Sequence, residues 1–165
     1  MKSQKTKQNS HQNDAQTTGQ PPLPFAVRVP IRFRDADLAG ISFFGRVYGF
    51  AHDAFEDFVQ HLGFEWASWF NNENWGLPIR HSECDYLMPL FPSENYQIQV
   101  LVDRISKSSF TLRYVFTSLK RPEQVCCEVK LVHTFYDKKA RVKMSIPSDI
   151  HDRLETYQRE CLSAK

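Results

Sequence analysis

From Phe25 the apolar positions alternate, with Phe25, Val27, Val29, Ile31 and Phe33 set between polar or small neighbours. That is the period of a half-buried strand. Pro30 has no N–H to donate, so the strand is expected at a sheet edge or with a bulge. The period then changes. Val47, Phe50, Ala51, Ala54, Phe55, Phe58, Val59 and Leu62 recur at helical steps without a miss. They predict an amphipathic helix of four turns or more, closed by Gly63. At 1.5 Å per residue, a helix over 46–62 spans roughly 25 Å. After a short connection rich in aromatic residues (Trp66, Trp69, Phe70, Trp75), the period returns to two. Strands are predicted over 77–87, 95–104, 108–119, 124–136 and 140–146. A final helix is expected after Pro147-Ser148, its thin apolar stripe made by Ile150, Leu154, Tyr157 and Cys161. Short connections force antiparallel neighbours, because parallel crossovers need a dozen residues or more. One long helix with a stripe to bury, followed by one antiparallel sheet, is satisfied when the sheet curls around the helix in an α+β arrangement.

Composition divides the chain in two. Residues 1–24 are polar and end in Pro21-Pro22-Leu23-Pro24. They offer too little apolar surface to offset chain entropy, so a disordered tail is expected, with 25–165 as one domain. The net charge is +2, and Lys2, Lys5 and Lys7 against Asp14 account for all of it. The neutral remainder argues against a duplex nucleic acid partner, which rewards a concentrated basic face. No apolar run is long enough to span a membrane, and no apolar segment follows the N-terminal charges as a secretory signal requires. Cys84, Cys126, Cys127 and Cys161 show no metal-ligand spacing. They are expected to be reduced, buried thiols in a cytoplasmic protein, with no metal bound. Adjacent Cys126 and Cys127 on a strand are expected to face opposite ways.

No nucleophile elbow, phosphate loop, dinucleotide fingerprint or zinc-protease motif occurs. The segment with chemical promise is the loop Arg34-Asp35-Ala36-Asp37-Leu38-Ala39-Gly40-Ile41-Ser42-Phe43-Phe44-Gly45, just before the long helix. Helix N-termini carry unpaired N–H groups and positive potential suited to an oxyanion. A nearby Asp could attack an activated carbonyl or activate water. Asp35 and Asp37 could equally cap a turn or the helix. Spacing leaves both readings open.

The same loop, Asp35-Ala36-Asp37-Leu38-Ala39-Gly40-Ile41 followed by Phe43-Phe44-Gly45 and a helix, resembles the signature of the 4-hydroxybenzoyl-CoA thioesterase-like hotdog family. His52-Asp53-Ala54 is similar to a His-Glu-Ala within that family's helix. Gly76-Leu77-Pro78-Ile79, Tyr86-Leu87-Met88-Pro89-Leu90 and Arg104-Ile105-Ser106-Lys107-Ser108-Ser109-Phe110 continue the likeness over about residues 25–147. The resemblance implies a hotdog fold, with five or six antiparallel strands around one central helix. It implies acyl-CoA hydrolysis, with Asp37 as nucleophile or general base and His52 as a second catalytic candidate. The N–H groups of Phe44 and Gly45 would be oxyanion donors, and Lys107, Ser108 and Ser109 would contact coenzyme A. No cofactor beyond the substrate's own CoA is implied. The partner it implies is a second copy of the chain, in a dimer or tetramer with the site between subunits. The chain departs from many relatives where Gly45-Arg46-Val47 replaces an Asn-Tyr sequence, so no particular acyl group is carried over.

Remaining residues have ordinary readings. Arg46 is expected to be a solvated surface residue, with a carboxylate or a CoA phosphate as the alternative partners. Glu56, one turn after His52, would orient it or be solvated. His61, His81, His133 and His151 are expected to be structural. Lys138, Lys139 and Arg141 form a basic hairpin tip, either hydrated or near CoA phosphates. Trp66, Trp69, Phe70 and Trp75 would floor an acyl pocket or pack the core. A hotdog hydratase or dehydratase, and a non-catalytic acyl-CoA or acyl-carrier binding module, are the alternatives. The latter would have no need of a carboxylate at position 37.

Overall fold

The computed structural model of the chain describes residues 24–164. The predicted tail, apart from Pro24, lies outside them. The elements run β1 (Ala26–Pro30), a 3-10 turn (Phe33–Asp35), α1 (Arg46–His61), α2 (Trp66–Phe70), β2 (Trp75–Gly76), β3 (Ile79–Tyr86), β4 (Asn95–Ile105), β5 (Ser109–Ser118), β6 (Arg121–Thr134), β7 (Tyr136–Asp137), β8 (Val142–Lys143) and α3 (Ser148–Ser163). Five strands form one antiparallel sheet in the order β1-β4-β5-β6-β3. The short β2, β7 and β8 make a second small sheet.

The predicted helical stripe is buried throughout, from Val47 to Leu62. It joins one apolar cluster with the inward residues of the sheet, among them Ile98 and Val100 of β4, Leu112 and Phe116 of β5, and Val129 of β6. A fully buried Phe such as Phe58 stabilises by about 1.5–3 kcal/mol relative to exposure. This is the α+β hotdog arrangement, a curled antiparallel sheet around one long helix. Gly63, with φ +88°, closes α1 as predicted, since a left-handed position after a helix favours glycine. The stripe of α3 is buried too. Its Tyr157 donates to the Val100 carbonyl at 2.6 Å and accepts from the Phe25 N–H at 2.8 Å.

Four expectations are corrected. The first strand stops at Pro30, and Phe33 is 91% exposed in the following turn. The connection after α1 holds a short helix, α2. The strand predicted over 140–146 shrinks to the two residues of β8. Cys126 and Cys127 are both buried because the β5–β6 register shifts there, from Phe116–Cys127 to Thr117–Val125. Cys126 is the extra residue of a bulge, which breaks the alternation of faces.

Candidate active site

The loop between β1 and α1 is held by the first of its two carboxylates. The Arg32 N–H donates to Asp35 Oδ2 at 2.8 Å and curls Phe33–Asp35 into its turn. Asp35 Oδ1 accepts Arg46 Nε at 2.9 Å, and the Asp35 backbone carbonyl takes the Phe43 N–H at 2.8 Å. Burial alone would raise the Asp35 pKa. The Arg32 N–H and the Arg46 guanidinium outweigh it and hold the carboxyl below its ordinary range. Arg46 thus meets the carboxylate partner rather than being freely solvated. It opens α1, where the dipole disfavours a cation, and the facing carboxylate offsets that.

Arg46→Ala should cost about 2 kcal/mol in urea unfolding at pH 7. That is less than a fully buried pair would lose, because the Arg46 side chain is itself 45% exposed. Asp35 has a lowered folded pKa, so the stability it contributes is present above the ordinary carboxylate pKa and fades as pH falls through the folded value. The difference between wild type and variant should accordingly shrink below about pH 4. Equal midpoints at pH 7 would exclude the clamp.

Residues 36–42 then close as a miniature hairpin, bridged between Ala36 and Ser42. The Asp37 N–H donates to the Ile41 carbonyl and the Gly40 N–H to the Asp37 carbonyl, both at 3.0 Å. Gly40 takes the left-handed turn at φ +74°. The Asp37 side chain serves this turn, since Oδ1 accepts the Ala39 N–H at 2.8 Å. That engages only one oxygen. Among the described residues Oδ2 accepts nothing, and the exposed carboxylate borders a cavity of about 480 Å³ with Ser42, Phe44, Tyr86, Leu87 and Met88. Ser42 Oγ is buried there without a partner among the described residues. Neither Asp caps α1. Its N-cap is Gly45, which offers no side chain. Among the described residues the N–H groups of Phe44 and Gly45 donate to no acceptor. Asp37 thus shares a cavity with Phe44 and Val47 at the positive, N-terminal end of a long helix, an arrangement suited to attack on a carbonyl.

The family model of the thioesterase-like superfamily matches residues 31–154, most of the chain and the whole of this loop. The chain belongs to the thioesterase-like superfamily. The 1,4-dihydroxy-2-naphthoyl-CoA hydrolase of Nostoc punctiforme is 28% identical over 143 residues, covering 87% of this chain and 95% of that one. The enzyme of the same name from Acaryochloris marina is 25% identical over 120 residues, covering 73% and 88%. The fold is shared with a 1,4-dihydroxy-2-naphthoyl-CoA thioesterase from Synechocystis, at TM-score 0.73, 17% identity and coverage of 79% and 94%. It is also shared with a DHNA-CoA thioesterase from Staphylococcus aureus, at TM-score 0.75, 15% identity and coverage of 85% and 94%. The chemistry of the chain is thioester hydrolysis.

In this thioesterase the other predicted residues lie elsewhere. His52 borders a second cavity of about 320 Å³, together with Phe55, Trp69, Trp75, Leu77 and His133. It is not in the Asp37 cavity. Its Nδ1 stands 3.6 Å from Glu56 Oε1, while Glu56 Oε2 accepts the Trp66 Nε1–H at 2.8 Å. Lys107 and Ser108 lie in the β4–β5 turn, and Ser109 opens β5. Ser109 is engaged by Ser106, whose hydroxyl donates to the Ser109 carbonyl at 2.8 Å. The Lys107 and Ser108 carbonyls accept the Ile146 and Phe135 N–H groups, and the Lys107 side chain is exposed. The turn therefore lies by the His133 end of the sheet, where Ser109 pairs with Thr134. Lys138 is pinned by its ammonium to the Asn72 carbonyl at 2.5 Å. Among the described residues the His/Asp/Glu grouping close enough for a metal is His151, Asp152 and Glu155 on α3, which includes none of these.

His133, expected from sequence to be structural, is buried in the core. It is 1% exposed and stacked between Phe55 (4.5 Å between centroids) and Phe110 (5.0 Å). Neither ring nitrogen, nor the Trp69 Nε1–H, has a partner among the described residues. Burial pushes the His133 pKa down to about 3, with His52 adding to the shift. The signal lay in its strand position, since it alternates with the buried Leu131 and Val129.

Proposed function

We propose that this thioesterase hydrolyses an aromatic acyl-CoA to the free acid and CoA, with Asp37 as nucleophile or general base. The observation that carries the reading is Asp37, whose Oδ2 accepts nothing among the described residues, lining one cavity with Phe44 and Val47 at the N-terminal end of α1. A thioester is already activated. A carboxylate facing its carbonyl, with the N–H groups of Phe44 and Gly45 receiving the oxyanion, suffices for expulsion of the CoA thiolate. This route uses no metal or additional cofactor.

The acyl group is assigned to the second cavity, of a partner subunit. Within one chain the two cavities share no lining residue. They lie at opposite ends of β3, which at about 3.3 Å per residue separates Ile79 from Tyr86 by roughly 23 Å. β3 is a sheet edge, exposed at every residue but Cys84, and such an edge invites pairing. Two chains joined antiparallel through β3 bring the Ile79 end of one beside the Tyr86 end of the other. The aromatic walls around Trp69 and Trp75, with His133 and Trp69 nitrogens that have no partner among the described residues, fit a planar ring bearing polar substituents. His52 and the Lys107–Ser109 turn come to the site by the same pairing, with Lys107 toward CoA. The relatives named for a dihydroxynaphthoyl-CoA substrate support that class. Among the described residues no helix is long and apolar enough to cross a membrane.

Thiol release from aliphatic and aromatic acyl-CoAs tests the class, and aromatic substrates should give the higher kcat/KM. Mixed chains test the assembly. Asp37→Asn and Leu77→Trp, the latter filling the aromatic cavity, should each be nearly inactive on the preferred substrate. Once exchanged in equal amounts, they should recover about a quarter of wild-type activity, because half the dimers then hold one intact site. A monomer in solution, or exchanged dimers without recovery, would refute the shared site.

A further inference from the structure

Tyr86 ends β3, and its position is secured by the bulge in β6, where the Cys126 carbonyl accepts the N–H groups of both Leu87 (2.9 Å) and Met88 (2.8 Å). Its hydroxyl donates to the Phe44 carbonyl at 2.7 Å, a contact spanning 42 residues of sequence. The acceptor is the notable partner. The Phe44 carbonyl and the Gly45 N–H belong to one planar trans peptide, so they point in opposite directions and turn together. That peptide sits where the loop enters α1. Gly45 brings no side chain to brace it, and the helix has no side-chain N-cap. Among the described residues, the Tyr86 hydroxyl is the side-chain group that holds this peptide.

We infer that Tyr86 is a positioning residue for the oxyanion site, its hydroxyl fixing the Phe44–Gly45 peptide so that the Gly45 N–H stays directed out of the helix end. The inference rests on the reading of Asp37, Phe44 and Gly45 given above. Two physical effects act together. Orientation removes the cost of turning the donor toward the oxyanion as charge develops. Polarisation adds to it, because a carbonyl that accepts a hydrogen bond makes the N–H of its own peptide a stronger donor. Although Tyr86 is half exposed, partial desolvation of its hydroxyl and the neighbouring Cys84 hold it above its ordinary pKa, so it remains a donor at the assay pH. Tyr86 need not touch the substrate to act this way.

Tyr86→Phe keeps the ring and removes the hydroxyl. The expected result is a fall in kcat of roughly tenfold, smaller than loss of an oxyanion donor itself. KM should stay within about twofold and the melting temperature within a few degrees. The discriminating readout is infrared spectroscopy of a bound, unhydrolysable ketone analogue of an aromatic acyl-CoA, isotopically labelled at the carbonyl. Its stretch should shift to lower frequency in wild type and in Asp37→Asn, and distinctly less in Tyr86→Phe. Unchanged kcat in Tyr86→Phe, or the same carbonyl shift as wild type, would overturn the positioning role. If Asp37→Asn is inactive in the same series, only the Tyr86 inference has failed. If Asp37→Asn is fully active, the reading of the site itself has failed.

Discussion

Asp37→Asn should lower kcat for thiol release by about 10³-fold, within the usual range for loss of a positioned base or nucleophile. KM should change little. The substitution is chosen for what it preserves. An Asn Oδ1 can still accept the Ala39 N–H that Asp37 accepts at 2.8 Å, and the hairpin's backbone bonds from Asp37 to Ile41 and from Gly40 to Asp37 are untouched. The fold and the cavity should therefore survive, and unfolding midpoints should match within error. What disappears is the charge on Oδ2, the oxygen with no partner among the described residues. Full activity would refute Asp37 as the attacking group and leave it a turn residue. Loss of activity together with stability would show instead that the turn is its main role. Equal midpoints with lost turnover separate the two uses of one side chain.

Those two readings explain why the loop was hard to resolve from sequence. Turn-forming and chemistry stood as competing accounts of Asp37, whereas the structure engages one oxygen in the turn and leaves the other without a partner among the described residues. Asp35 and Arg46 were hard for another reason. Their pairing depends on the chain curling after Pro30, and the alternation of apolar residues up to Phe33 pointed to continued strand. Tertiary hydrogen bonds to Asp35 outweighed that local pattern. The central helix, by contrast, was fully legible, because a stripe running from Val47 to Leu62 has one way to be buried. The β4, β5 and β6 strands were legible on the same grounds, since period-two burial leaves a direct trace. The failures at Cys126 and over 140–146 arise from a bulge and from a left-handed residue, Arg141 at φ +57°, which interrupt periodicity without announcing themselves. The aromatic connection was identified as a possible pocket floor, but its missing wall was His133, far along the chain on β6. Topology alone brings them together.

His133 should give the protein a steep acid sensitivity. Its folded pKa of about 3 lies well below the ordinary histidine value near 6.5. Above that value the ring is neutral in both folded and unfolded chains, and its protonation adds nothing to the difference between them. As pH falls below about 6.5 the unfolded chain takes up a proton that the buried ring cannot. Stability is then lost at about 1.4 kcal/mol per pH unit, down to the folded pKa. By pH 4 the loss should reach about 3 kcal/mol, a large share of a typical domain's stability. His133→Phe keeps a planar ring between Phe55 and Phe110 and removes the titrating nitrogens, so its urea midpoint should fall less steeply from pH 7 to pH 5 than that of wild type. The remaining slope includes His61, which burial also holds below its ordinary pKa. Parallel curves would refute the assignment. The same comparison bears on the aromatic cavity. A ligand that hydrogen-bonds a His133 nitrogen should stabilise wild type more than His133→Phe, whereas a ligand held by the ring walls alone should stabilise both alike. A buried imidazole left without a partner costs stability at low pH, and a polar substituent on a bound ring is the kind of group that would give it one.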